Sequence, residues 1–269
     1  MLKIIARQGF RSFGKRPYED KKIVDTKNSI FIVADGMGGH PSPGKASRYA
    51  AEICHEDLIG KLSNAPDNKI LERIESAIGY TNRALCALSD SMGDLKRENK
   101  RAGTTLDVCY FRNGILYGGH IGDGRVYQLR KIMFRKLTED HTSLDYSLDE
   151  GEVKLNDRFG FGSIERYIGD TSDFNPQLYS SRLRQGDTVL MTTDGLTKML
   201  FDLEIKKVLK ETPFDSAARG LIKACQNPVR LINYLAKKRG IHTNEAKAEL
   251  QPKDDVTVVL IKYKGEKNG

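Results

Sequence analysis

The sequence has no tryptophan, no Cys-x-x-Cys pair and no long hydrophobic run. Its cysteines, Cys54, Cys86, Cys109 and Cys225, are far apart, so we expect reduced thiols rather than a zinc site or a disulfide framework. No apolar run approaches the roughly 18 residues that cross a bilayer, so no membrane span is expected. Residues 1–7 are too short and too charged for a secretory signal. These absences together predict a cytoplasmic protein.

What is present predicts a folded protein with a basic surface. Of 269 residues, 39% are hydrophobic, with 10 Phe and 11 Tyr, which supports a real core. The net charge is +8, and residues 203–240 carry nine Lys or Arg against three acids. Such a patch can attract nucleic acid, a membrane or an acidic partner. Because it lacks interleaved aromatics and any nucleic-acid motif, we interpret it as solvated helix faces and expect neither nucleic acid nor membrane as a partner.

One stretch combines a buried strand with an exposed carboxylate. Residues 30–34 are apolar and mostly β-branched or aromatic, and they end in Asp35 followed by Gly36. Glycine is used where the chain turns tightly or where a ligand approaches the backbone. Asp35 and the Gly36 carbonyl are therefore candidates to face one cation. An ordinary Asp-Gly turn is the alternative for such a motif taken alone.

The rest of the chain predicts an α+β protein with antiparallel sheets. Helices are predicted after Ser42-Pro43, after Asp67 and over 197–240, with breaks near Gly220 and Pro228. Neighbouring strands form hairpins, one of them with an Asn113-Gly114 turn, so pairing between sequence neighbours is expected. The strands are predicted at 2–10, 30–34, 104–111, 115–121, 125–129, 134–137, 177–184, 188–193 and 256–261.

Four of these strands carry a carboxylate at one end, namely Asp35, Asp123, Asp194 and Asp254. In antiparallel sheets the end of one strand lies beside the start of its neighbour, so these groups can meet. Clustered carboxylates repel one another unless a cation lies among them. Oxygen ligands favour Mg²⁺ or Mn²⁺ over zinc. Two such ions roughly 3.5–4 Å apart activate water and bind a phosphoryl group, which predicts a phosphoester hydrolase.

Seven motifs in order resemble the metal-dependent serine/threonine phosphatases of the protein phosphatase 2C (PPM) family, in their compact bacterial form. The resemblance covers about residues 7–263 and implies a four-layer α-β-β-α sandwich of two antiparallel sheets flanked by helices. The motifs are Arg16…Glu19-Asp20, Val33-Ala34-Asp35-Gly36-Met37-Gly38-Gly39-His40, Gly103-Thr104-Thr105, His120-Ile121-Gly122-Asp123-Gly124-Arg125, Leu137-Thr138-Glu139-Asp140-His141, Thr193-Asp194-Gly195-Leu196 and Asp254-Asp255-Val256-Thr257.

The resemblance implies two metal ions, with a possible third held more weakly. Asp35 is expected to bridge the two ions. Asp194 and Asp254 are expected to complete the first site. Asp123, together with Asp194, is expected at the third. The mechanistic hypothesis is in-line attack on the phosphoester by a water or hydroxide that bridges the two ions, without a phosphoenzyme.

The second metal site and the phosphate site follow from the same resemblance. The Gly36 carbonyl is expected to bind the second ion, with Glu19 and Asp20 acting through water. Arg16 is expected to bind the phosphate. The family usually places this arginine five residues before the aspartate, where this chain has Lys15, so either cation can serve.

The resemblance leaves the general acid and the substrate open. Met37 stands where animal members have a proposed histidine acid, and His40 is the nearest substitute, with a metal-bound water as the alternative. We expect one phosphatase domain over 1–269, with a variable flap-like loop at about 139–171 and a helical elaboration at about 197–250.

The predicted function is hydrolysis of phosphoserine or phosphothreonine in proteins, by a monomer that opposes a serine/threonine kinase. The alternatives are a catalytically weak phosphoprotein-binding or adaptor protein of the same fold, and a phosphomonoesterase for small molecules.

Overall fold

The computed structural model describes residues 2–12, 18–97, 100–143, 163–172, 174–240, 242–249 and 254–266. Its strands are β1 (Leu2–Arg11), β2 (Asp20–Asp25), β3 (Ile30–Asp35), β4 (Lys96–Arg97), β5 (Lys100–Arg101), β6 (Leu106–Arg112), β7 (Ile115–Ile121), β8 (Arg125–Arg130), β9 (Met133–Lys136), β10 (Gln177–Arg182), β11 (Thr188–Thr192) and β12 (Val256–Glu266). Its helices are α1 (Pro43–Leu62), α2 (Ile70–Ser91), α3 (Asp194–Thr197), α4 (Asp202–Glu211), α5 (Phe214–Cys225), α6 (Val229–Arg239) and α7 (Thr243–Glu249), and a 3₁₀ turn over Asp67–Lys69 leads into α2.

The strands form two five-stranded sheets in which every pair is antiparallel. The first sheet has the order β1-β12-β11-β8-β9 and the second the order β10-β7-β6-β3-β2. Strands β4 and β5 form a separate two-stranded ribbon. The β6–β7 turn has Asn113 at φ 51° and Gly114 at φ 69°, the two left-handed residues that a two-residue hairpin of this twist favours. The predicted antiparallel hairpins are therefore confirmed.

The central strands are buried on both faces. In β3, Phe31 and Val33 point into the core between the two sheets, whereas Ile30 and Ile32 pack beneath α1 and α2. Because successive side chains of a strand point to opposite faces, such a strand is a continuous apolar run with no polar alternation. The predicted run at 30–34 reflects this double burial.

Strand β12 repeats the arrangement in the first sheet. Val259 and Ile261 enter the core between the sheets, whereas Val258 and Leu260 pack with residues of α3, α4 and α5 on the outer face. Helices thus cover the outer face of each sheet. The predicted α-β-β-α sandwich is confirmed.

One predicted helix break is wrong. Helix α5 runs from Phe214 to Cys225 through Gly220, and the chain breaks before it at Thr212 and Pro213. A Cβ on Gly220 would lie 3.2 Å from Val208 Cγ1 of α4. The glycine therefore permits close packing of two helices instead of ending one. The other predicted break is present, with Pro228 directly before α6.

The two segments predicted to vary are only partly described. Residues 139–143 and 163–171 are irregular, as predicted, and the stretch between them lies outside the described residues. Helices α6 and α7 pack on each other through a small core that includes Leu231 and Ala246. No helix in the described ranges is long and apolar enough to span a membrane. The single domain over 1–269 stays a prediction.

Candidate metal centre

Asp35 is held at the end of β3 through its backbone. Its N–H donates to Thr105 Oγ1 at 3.0 Å, and its carbonyl accepts from Thr104 Oγ1 at 2.7 Å and from the Thr105 N–H at 2.9 Å. Asp20, the first residue of β2, is directly opposite Asp35 in the strand register. Two carboxylates therefore start the site at one edge of the second sheet.

Gly36 is required by the approach of α1. A Cβ there would lie 2.2 Å from the carbonyl oxygen of Pro43, the first residue of that helix. The Gly36 N–H donates to the Glu19 carbonyl at 3.2 Å, which also accepts from Ser47 Oγ at 2.5 Å. The Glu19 N–H donates to Asp255 Oδ2 at 2.6 Å. The backbone of the Glu19 segment therefore links β3, α1 and the start of β12.

The first sheet contributes Asp194, which follows β11 and begins α3. A Cβ on Gly195 would lie 2.0 Å from the Asp255 carbonyl oxygen, so the Asp-Gly pair is needed for contact with the segment before β12. Thr193 Oγ1 donates to Asp20 Oδ2 at 3.0 Å and accepts from the Thr257 N–H at 3.0 Å. This hydroxyl joins the two sheets at the site.

The carboxyl groups lie close enough to perturb one another strongly. Burial, followed by the charges of Asp20, Asp194, Asp254 and Asp123, raises the pKa of Asp35 far above its usual range. Burial raises the pKa of Asp20 to about 7, against hydrogen bonds that lower it. Burial and the charge of Asp194 raise the pKa of Asp123, and burial also raises the pKa of Asp194. A group of acids this hard to ionise together calls for a cation.

Two observations concern the contacts of the individual carboxylate oxygens in the cluster. Among the described residues, Oδ1 of Asp20 and Oδ1 of Asp194 are buried without a hydrogen-bond partner. Oδ2 of Asp194 does have one, since Lys198 Nζ lies 2.5 Å from it and 2.9 Å from Asp254 Oδ2. Lys198 is a site residue that the sequence analysis missed. Its position four residues after Asp194, which begins a helix, is the feature of the sequence that could have predicted this ion pair.

The donor chemistry fits a hard divalent cation, although the ligand shell is not preassembled. Carboxylates and a backbone carbonyl are the ligands of Mg²⁺ and Mn²⁺. Within the described ranges, no three His, Cys, Asp or Glu side chains already surround one point as a metal shell. The structure brings Asp20, Asp35, Asp123, Asp194 and Asp254 together, and their role as metal ligands stays a prediction.

The other predicted site residues are placed less fully. His40 Nδ1 lies 2.8 Å from the Arg101 carbonyl oxygen, and its ring stands edge-on to Tyr167 at 5.2 Å between centroids. Arg16 and Lys15 lie outside the described residues. The roles predicted for these three side chains therefore stay predictions.

Tyr18 is a second missed neighbour of the cluster. Its hydroxyl bonds to Thr257 Oγ1, and burial, with the charge of Asp20 second, raises its pKa. The signal available in the sequence was its position between the predicted phosphate cation and Asp20.

A buried pair beneath the Asp123 turn was also missed. His120 is fully buried, and its Nδ1 lies 2.7 Å from Asp107 Oδ1. The Gly122 N–H donates to His141 Nδ1 at 3.2 Å, and the two imidazole rings are 4.6 Å apart. Because a two-residue turn sets the β6–β7 register, Asp107 opposite His120 was readable from the hairpin.

The motif containing Asp123 is joined to the next motif by an ion pair. Arg125 contacts Asp140 with NH2–Oδ2 at 2.5 Å and Nε–Oδ1 at 3.0 Å, and both side chains are almost buried. The planar guanidinium fork suits this two-point contact. The two adjacent motifs therefore form one scaffold behind the Asp123 turn.

Fold and site together define an α-β-β-α sandwich with an acidic cluster where strands of the two sheets meet. The chain matches the protein phosphatase 2C family model over residues 15–237. It therefore belongs to that family. The predicted fold, family and enzyme class are thereby confirmed.

Individual relatives agree with this assignment. The chain is 28% identical over 187 residues to serine/threonine phosphatase stp of Listeria innocua, covering 68% of this chain and 73% of that one. The crystal structure of the Mycobacterium tuberculosis serine/threonine phosphatase PstP/Ppp is similar at TM-score 0.70 and 25% identity, covering 98% and 99% of the two chains. A structure of the PstP catalytic domain in complex with two manganese ions is similar in fold, at TM-score 0.69 and 24% identity, covering 97% and 99%.

Proposed function

We propose that this chain hydrolyses phosphoserine and phosphothreonine in proteins, in a reaction that depends on Mg²⁺ or Mn²⁺. The observation that carries the proposal is the convergence of carboxylates from both sheets, with two buried oxygens that lack a partner among the described residues. The two manganese ions in the similar PstP catalytic domain support two metal ions here, with a third as a further possibility for Asp123.

Asp35 is proposed as the central metal ligand, since the charges of Asp20, Asp194, Asp254 and Asp123 all raise the pKa of its carboxyl group. Divalent ions bound there supply Lewis acidity, a lowered pKa for water and neutralisation of a phosphoryl group. The ions also explain why the protein places so many acids together. Without them the carboxylates repel one another.

Asp35 and Asp20 are oriented by the hydroxyl groups of three threonines. Thr104 and Thr105 fix the backbone of Asp35, and Thr193 donates to Asp20. The Thr104 and Thr105 bonds involve only the backbone of Asp35, and the Thr193 bond uses only Oδ2 of Asp20, whose Oδ1 has no hydrogen-bond partner among the described residues. Rigid support of this kind keeps a catalytic group in one geometry.

His40 is proposed to exchange a proton with the leaving group through Nε2. Its Nδ1 already has the Arg101 carbonyl as a partner, and a carbonyl can only accept. The ring therefore carries a proton on Nδ1, and it acts as an acid only when Nε2 is protonated as well. Arg16 or Lys15 is proposed to bind the phosphate.

We propose that the protein acts in the cytoplasm. All four cysteines are described and none is in a disulfide, which agrees with a reducing cytoplasm. A serine/threonine kinase that phosphorylates the same substrates is the expected opposing activity. We propose that the chain acts as a monomer.

The test is phosphate release from phosphoserine and phosphothreonine peptides, with p-nitrophenyl phosphate alongside. Wild type should hydrolyse the peptides with Mn²⁺ and stop with EDTA. Asp35→Asn should lose most of the activity. Asp25→Asn is the matched control, because Asp25 ends β2, the strand paired with β3, at the far end from Asp35, where it pairs with His55 Nε2 at 2.9 Å.

The control variant should keep its turnover. Equal turnover of wild type and Asp35→Asn would overturn the proposal. Hydrolysis of p-nitrophenyl phosphate without any phosphopeptide activity would contradict the protein substrate and favour a small-molecule phosphomonoesterase.

A further inference from the structure

Lys198 lies inside the acidic cluster and contacts two of its members. Its Nζ is 2.5 Å from Asp194 Oδ2 and 2.9 Å from Asp254 Oδ2. The Lys198 N–H donates to the Asp194 carbonyl at 2.7 Å, so one helical turn sets the spacing of the pair. The close packing of Gly195 on the Asp255 carbonyl brings Asp254 to the same ammonium.

The positive charge of Lys198 lies within a cluster of acidic side chains. Asp20, Asp35, Asp123, Asp194 and Asp254 bring five carboxyl groups together. A lysine ammonium is fully charged at neutral pH and stabilises the ionised acids that it touches. In the structure the Lys198 ammonium therefore neutralises part of the negative charge that a metal ion would otherwise neutralise.

The ammonium and a divalent ion compete for the same two carboxylate groups. A bound Mg²⁺ lies about 2.0–2.1 Å from each ligand oxygen and carries two charges. It cannot share Oδ2 of Asp194 with a second cation at 2.5 Å without strong repulsion. The lysine side chain is 35% exposed, so its flexible stem can swing out to solvent.

We propose that the Lys198 ammonium is a resident counter-cation of the acidic cluster, which divalent ions displace from Asp194 and Asp254. It stabilises the metal-free protein and weakens metal binding, so it sets the metal concentration at which the site fills. The inference rests on the metal site of the proposed function.

The chain offers a matched control for this lysine. Lys61 pairs with Asp57 across the same four-residue helical spacing, with Nζ–Oδ2 at 2.7 Å and 32% exposure of the lysine. That pair lies in α1 and touches none of the five acids of the cluster. Lys61→Met therefore removes an equivalent ion pair with no effect on metal binding.

The experiment is calorimetric titration of Mn²⁺ into the metal-free protein, with thermal unfolding in EDTA. Lys198→Met should bind Mn²⁺ about tenfold more tightly than wild type, and it should unfold at a lower temperature in EDTA. Lys198→Arg keeps the positive charge and should bind Mn²⁺ within about threefold of wild type. Lys198→Gln serves if the methionine variant does not fold without metal.

The outcomes separate this inference from the metal site itself. Equal or weaker Mn²⁺ binding by Lys198→Met would overturn the counter-cation role while leaving the metal site intact. An unchanged unfolding temperature in EDTA would overturn it as well. If wild type binds no Mn²⁺, or if Asp35→Asn binds Mn²⁺ as wild type does, both the inference and the proposed metal site fail.

Discussion

Replacing one site acid should stabilise the protein when metal is removed. The pKa of Asp20 is raised by burial to about 7, from 3.8 in the unfolded chain. An acid with a raised pKa holds more protons when folded, so stability is lost as pH rises from about 4 to about 7. About three pKa units at 1.36 kcal/mol each give an upper limit of about 4 kcal/mol.

Asp20→Asn removes this loss while keeping the local contacts. The asparagine oxygen can still accept the hydrogen bond from Thr193 Oγ1. In EDTA at pH 7.5 the variant should therefore be more stable than wild type by about 2–4 kcal/mol, and the difference should shrink toward zero at pH 4. Urea unfolding at a series of pH values, followed by circular dichroism, measures this difference.

Asp25→Asn provides a control of opposite sign. Burial alone would raise the pKa of Asp25, but hydrogen bonds from Asn28 and the contact with His55 lower it overall. That variant should be less stable than wild type at neutral pH. Saturating Mn²⁺ should reverse the order of Asp20→Asn and wild type, since only wild type keeps the carboxylate that is proposed to act on the metal through water. An Asp20→Asn variant less stable than wild type in EDTA at pH 7.5 would refute the reasoning.

Three further perturbations test the frame around the cluster. Gly36→Ala places a Cβ against the Pro43 carbonyl, so the metal-dependent rise in unfolding temperature should shrink by half or more; a full rise would contradict the required glycine. Arg125→Met leaves the buried Asp140 with only its longer contact to Lys136 Nζ at 3.3 Å. The loss of the two-point guanidinium contact should cost about 3 kcal/mol in urea unfolding, against under 1 kcal/mol if the pair is dispensable. Burial lowers the pKa of His141 to about 3, so the free energy of unfolding decreases as the pH falls below about 6.5. Between pH 7 and pH 5, wild type should lose up to about 2 kcal/mol more stability than His141→Asn. Parallel pH profiles of the two proteins would rule this out.

The strand ends were predictable because local signals and tertiary structure agree there. The apolar run before Asp35 is buried on both faces, and Gly36 and Gly195 are needed for close backbone contacts. Strand β2, whose register places Asp20 opposite Asp35, was not among the predicted strands. The sequence was sufficient to predict the strand ends where a residue's local pattern and its contacts in the fold have the same cause.

Prediction failed where a residue serves a neighbour distant in sequence. Gly220 was interpreted as a helix breaker because glycine lowers helix propensity, yet it accommodates Val208 of the adjacent helix. Lys198 was not singled out in the sequence. Its contact with Asp254, 56 residues away, depends on how β11 and β12 pair.

The most direct test of the central claim is anomalous diffraction from crystals of this protein grown with Mn²⁺. The account predicts manganese peaks bounded by Asp35, Asp20, Asp194 and Asp254, with the Lys198 ammonium withdrawn from the two acids that it touches. Manganese only at surface acids such as Asp90, with the cluster unchanged, would contradict it.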